Sequence, residues 1–102
     1  MTQSQLMEQK LASNIMKNRF LTAGIRHLSL FGSYARNEAT SNSDLDLLIE
    51  LSENNKVTIG TLENLQEMLK KELSVQKVDF VTKRKISPYL RQSIEKDLIT
   101  IF

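Results

Sequence analysis

The chain has no cysteine and no tryptophan, and only one histidine, one proline and three glycines among 102 residues. Without cysteine it builds neither a disulfide framework nor a thiolate metal site, which fits a reducing cytoplasm. Aromatic residues are scarce. Fourteen basic residues against twelve acidic ones leave a net charge of only +2, too slight for a dedicated nucleic-acid binder, which needs a concentrated positive field. No apolar run is long enough to span a membrane, and residues 1–20 lack the uninterrupted hydrophobic segment of a secretion signal. No internal repeat, low-complexity stretch or linker appears. These absences leave a single domain over residues 1–102, expected in the cytoplasm, with one core and about two-thirds of its unfolded surface buried.

Periodicity supplies the elements. Thr2-Gln3-Ser4-Gln5 has the form of a capping box. Met7, Leu11 and Ile15 then recur at four-residue intervals before Phe20 and Leu21, which predicts a first helix to about residue 23 with Gly24 past its end. His27-Leu28-Ser29-Leu30-Phe31 alternates as a half-buried strand does. Asp44 to Leu51 alternates more cleanly, with Leu45, Leu47, Ile49 and Leu51 on one face and Asp44, Asp46, Leu48 and Glu50 on the other. Leu62, Leu65, Leu69 and Leu73 mark a second helix whose charged residues, Glu63, Glu67, Lys70 and Lys71, lie opposite. Val75 to Val81 reads as a third strand, Ser87-Pro88 as the start of a third helix, and Leu98 to Phe102 as a short closing strand. The order predicts an α+β fold in which a small mixed sheet carries helices on one face and a site on the other.

The candidate site begins at Gly32-Ser33. Glycine lacks a Cβ, so a phosphate can approach its backbone, and Ser33 offers an N–H and a hydroxyl to phosphate oxygens. Taken alone, the dipeptide is simply a turn after a strand. Ten residues, the last four of them Thr40-Ser41-Asn42-Ser43, separate it from Asp44-Leu45-Asp46. The two aspartates share a strand face, with Cα atoms roughly 6–7 Å apart, a span from which two carboxylates converge on a hard cation such as Mg²⁺. A lone Asp-x-Asp is commonly a solvated strand edge. Asp79, however, points away from Val78 and Phe80, so it joins the same open face if both strands rest on the same helices. Three carboxylates gathered there repel one another unless a cation neutralises them.

The run Gly32-Ser33-Tyr34-Ala35-Arg36-Asn37-Glu38-Ala39, followed by Ser43-Asp44-Leu45-Asp46-Leu47, resembles the signature of the nucleotidyltransferase superfamily related to DNA polymerase β. The short length makes the chain most similar to the minimal nucleotidyltransferases, and the resemblance covers nearly all of it. It implies that Gly32 and Ser33 bind the nucleotide triphosphate, that Asp44 and Asp46 hold Mg²⁺, and that Asp79 completes the metal site and helps to activate the attacking hydroxyl. Relatives usually have a second glycine after the arginine, where this chain has Asn37, a residue that tolerates the left-handed region better than most. Arg36 has two readings, a nucleotide-binding cation that favours the triphosphate or an exposed loop cation.

The resemblance also implies a partner. Minimal nucleotidyltransferases of this kind resemble the antitoxin half of a two-protein toxin–antitoxin system, whose toxin is an all-helical HEPN ribonuclease. Transfer of AMP from ATP to a tyrosine hydroxyl silences that toxin. Two other classes stay open: a non-catalytic nucleotide-binding antitoxin that neutralises by binding, and a subunit that modifies a small molecule with help from another chain. His27 is expected to pack or face solvent. Lys83-Arg84-Lys85 either lies near a triphosphate or an acidic partner surface, or is a solvated charge run.

Overall fold

The computed structural model describes residues 1–53 and 57–102, less the side chains of Phe20 and Leu21. Helix α1 (Gln3–Lys17) leads into strand β1 (Ile25–Phe31) and strand β2 (Leu45–Leu51). Helix α2 (Ile59–Leu73), strand β3 (Val78–Thr82), helix α3 (Pro88–Glu95) and strand β4 (Ile99–Thr100) follow. The four strands form one mixed sheet in the order β3-β2-β1-β4. β1 runs antiparallel to β2 and to β4, whereas β2 and β3 are parallel and joined through α2.

The strand alternation sets the two faces as expected. Leu45, Leu47 and Ile49 of β2 are fully buried, as are their neighbours Leu28 and Leu30 of β1. Met7, Leu11 and Ile15 of α1 and Leu65, Leu69 and Leu73 of α2 close over this face to make one core. Each fully buried leucine contributes roughly 1.5–3 kcal/mol relative to exposure. α3 departs from the expectation of helices on a single face: its Ile94 lines a cleft with Ser29 and Leu48, residues of the opposite, open face. The α+β class stands, with α1 and α2 on the core face and α3 bordering the other.

Cap chemistry explains most element ends. Thr2 Oγ1 accepts from Gln5 N while Gln5 Oε1 accepts from Thr2 N, so the capping box forms. Ser87 caps α3 with Pro88 in its first turn. The first helix, however, stops at Lys17 rather than near residue 23, and a 3₁₀ turn over Arg19–Thr22 follows. Asn14 Nδ2 donates to Lys10 O, and Asn18 Nδ2 donates to Asn14 O. Such side-chain bonds compete with the helical ladder, and Asn18 leaves helical geometry at φ −125°. Gly24 does not provide a left-handed cap; its carbonyl instead accepts from Ser52 N and Oγ.

Candidate functional site

Gly32 sits just past β1 with φ +79°, a conformation that L side chains rarely adopt. A Cβ built there would collide with the Oδ2 of Asp46. Glycine is therefore required twice, once by the backbone angle and once by the carboxylate lying against it. Beyond it the chain winds through one tight turn, closed by Arg36 N to Gly32 O at 3.0 Å and Glu38 N to Ser33 O at 2.9 Å. Within the described residues the N–H groups of Ser33, Tyr34 and Ala35 donate to no backbone carbonyl. Unpaired amides at the start of such a turn suit phosphate oxygens.

Asn37 takes the left-handed conformation, φ +61°, so the loop keeps its turn without the second glycine. Its side chain does more: Oδ1 accepts from Ser4 N at 2.8 Å, satisfying a donor that the first turn of α1 cannot bond internally. Gln3 bonds Ala39 in both directions, Nε2 to the carbonyl at 2.8 Å and Oε1 from the N–H at 2.9 Å. The start of α1 thus braces the far side of the loop. This role left no local signal in the sequence, since an amide side chain reaching 36 residues along the chain follows no periodicity.

The sheet register aligns the acids. Asp46 pairs with Phe31 on one side and Asp79 on the other, so Asp46 and Asp79 are neighbours on the open face. Asp44 immediately precedes β2, behind a turn in which Ser43 Oγ accepts from Thr40 N at 2.8 Å. Burial, and after it the charges of Asp79 and Asp44, pushes the Asp46 carboxyl above the usual carboxylate range, against the opposing pull of Arg36 and Lys77. Asp79 has a counter-ion in Lys77, whose Nζ lies 3.4 Å from Oδ1. Among the described residues no three acidic or histidine side chains stand close enough together to enclose a metal ion. Asp46 and Asp79 share the open face and Asp44 adds its charge to Asp46, but the three form no ligand shell. Their donor chemistry, oxygen only and negatively charged, fits a hard cation.

Arg36 does not point free into solvent. Its Nε lies 3.0 Å from Glu38 Oε2 and its Nη1 2.8 Å from Asp97 Oδ2, which ties the loop to the segment after α3. These two carboxylates hold its guanidinium above its ordinary pKa. Asp97 and Lys77 escaped the sequence reading, Asp97 because its partner lies 61 residues away. His27 has a partner after all: its Nε2 is 3.8 Å from Glu50 Oε2, its own register neighbour. Lys83–Lys85 form an exposed 3₁₀ turn, and the carbonyl of Lys83 accepts from Arg91 Nη2 at 3.4 Å.

Comparison with known proteins gives the family and the fold. The family model described as nucleotidyltransferase domain matches residues 10–101. A relative from Methanocaldococcus jannaschii, provisionally named a protein adenylyltransferase, is 42% identical over 88 residues, covering 85% of this chain and 84% of its own. A solved structure provisionally described as a minimal nucleotidyltransferase superposes with a TM-score of 0.71 at 30% identity, covering 97% of this chain and 95% of the other. The fold also recurs in a complex of a tri-AMPylated Shewanella oneidensis HEPN toxin with its MNT antitoxin. There the TM-score is 0.64 at 23% identity, over 97% of this chain and 71% of that one.

Proposed function

Since this chain belongs to the nucleotidyltransferase domain family and is a nucleotidyltransferase, we propose that it moves AMP from ATP to a tyrosine hydroxyl of a HEPN-family toxin and so acts as that toxin's antitoxin. The observation that carries the reading is the contact between two motifs. A glycine turn with unpaired amides is pressed against Asp46, and Asp46 stands in register with Asp79. The M. jannaschii relative's name supports a protein as acceptor, and the S. oneidensis complex joins an AMP-modified HEPN toxin to its antitoxin.

In this reading the turn at Gly32 and Ser33 receives the triphosphate through its N–H groups. Arg36, at the edge of the turn, would have to leave its carboxylate partners Glu38 and Asp97 to meet the triphosphate. Asp44 and Asp46 would hold Mg²⁺, with Asp79 as the third carboxylate, once side-chain rotation brings their oxygens together. When bound, Mg²⁺ neutralises the carboxylates and polarises the α-phosphate. The tyrosine oxygen forms a bond to the α-phosphorus as the bond to the β-phosphate oxygen breaks, so pyrophosphate leaves. The phenolic proton passes to the carboxylate of Asp79. Residues 1–102 act as one catalytic unit in the cytoplasm, where ATP is available.

The test is direct. Co-expression with the protein encoded beside it, followed by intact mass spectrometry, should give a gain of one or more AMP groups on that neighbour. Asp46→Asn should remain folded and lower transfer at least about 100-fold, the scale on which loss of one charge-stabilising group acts. Full transfer by that variant would overturn the assignment, and tight inhibition of the neighbour without any mass gain would favour a binding-only antitoxin.

A further inference from the structure

A cleft of about 280 Å³ opens on the same sheet face as Asp46 and Asp79, and the triphosphate placement described above leaves it unused. Its lining mixes apolar Leu48, Ile94 and Leu98 with the cations Lys83 and Arg91 and the carboxylates Glu50 and Glu95. Leu48 follows Asp46 by two residues on that face, and Ser29, its register partner, lines the cleft beside it. The cleft therefore begins roughly 6–7 Å from the acid, one strand repeat along.

In-line displacement sets the directions from which the reacting oxygens approach and leave. The attacking and leaving oxygens stand on opposite sides of the transferred phosphorus. The Gly32 turn lies past the end of β1 and against Asp46, so a pyrophosphate held by that turn departs off the end of the sheet. The attacking hydroxyl then arrives from the opposite direction, along the open face and over Leu48. We propose that the cleft is the docking groove for the polypeptide segment that presents the acceptor hydroxyl, an inference that rests on the transfer reading above. Its lining charges balance, two cations against two carboxylates. A nucleic-acid acceptor calls for cations in excess, whereas an apolar floor with charges of both signs suits a peptide of mixed polarity carrying an aromatic ring.

Two probes separate this site from the nucleotide site. In the ¹⁵N-labelled full chain with Mg²⁺, N-acetyl-tyrosine amide should shift the amides of Ser29, Leu48 and Thr100. A non-hydrolysable ATP analogue should shift Gly32 to Asn37 and leave those three unmoved. Thr100→Trp, at an exposed position of β4 that lines the cleft, should raise KM for a tyrosine-bearing peptide at least tenfold with KM for ATP within twofold. Arg91→Glu on the opposite element provides a second variant with the same expected direction. Analogue shifts at Ser29 and Leu48, a rise in KM for ATP, or no tyrosine-probe shift in the cleft would each overturn the assignment. Failure of the analogue to shift any amide near Gly32 would instead sink the transferase reading, because the tyrosine probe is read at separate residues.

Discussion

The two faces of β2 carry opposite chemistry within seven residues. Leu45, Leu47 and Ile49 are fully buried against α1 and α2, while Asp46, Leu48 and Glu50 between them are only partly covered. One face supplies cohesion, and the other accumulates like charge that the fold must tolerate. Stability and chemistry are thus separated by a single alternation of the backbone, so substitutions one residue apart should fail in different ways.

The largest expected break is on the cohesive face. Leu47→Ala should cost about 2–5 kcal/mol, the range for leucine truncation in a packed core. Chemical denaturation would register this as a lower midpoint, while transfer per folded molecule stays near wild type. Gly32→Ala comes next, since it forces a side chain into a left-handed position against Asp46. It should cost about 1–3 kcal/mol and, unlike Leu47→Ala, lower transfer per folded molecule as well. Asn37→Ala should cost about 1 kcal/mol in thermal unfolding, through loss of the bond to Ser4 and of a residue suited to φ +61°. Asn37→Gly should cost less, because it keeps the angle and loses only the bond.

The smallest effect has the opposite sign. The folded Asp46 carboxyl binds its proton more tightly than its ordinary value of 3.8, so the native state holds more protons than the unfolded chain just above that pH. Wild-type stability should therefore fall as pH rises through that window. Asp46→Asn removes the burden and should stabilise the metal-free protein at neutral pH by less than about 1 kcal/mol, with the gain fading as pH falls through the raised folded-state value towards 3.8. Added Mg²⁺ should raise the melting temperature of wild type more than that of the variant. Equal shifts in both would remove Asp46 from the metal site.

Most of the fold was legible because it follows local rules. The alternation of Asp44 to Leu51, the leucine spacing of α2, the capping box at Thr2 and the Ser87-Pro88 start are all reproduced. That Asp46 and Asp79 share the open face was also legible, as soon as both strands were assumed to share a core, while their register pairing came only with the sheet. What escaped were events set by distant partners or by side chains that rewrite the backbone. Asn14 and Asn18 bond carbonyls one turn back through their side chains where α1 ends early. Gly24 was expected as a helix cap, yet of the two loop glycines only Gly32 is left-handed, and it is Gly32 that lies against a carboxylate. The position of α3 on the open face, and the reach of Arg36 to Asp97, depend on tertiary closure that no short window contains.

The brace between α1 and the loop has a consequence for motion. Asn37 and Ala39 are held by Ser4 and Gln3, so fraying at the start of the helix should release the outer half of the Gly32 turn with it. Hydrogen exchange at the two sites should be correlated, with the first helical turn acting as the hinge point between them.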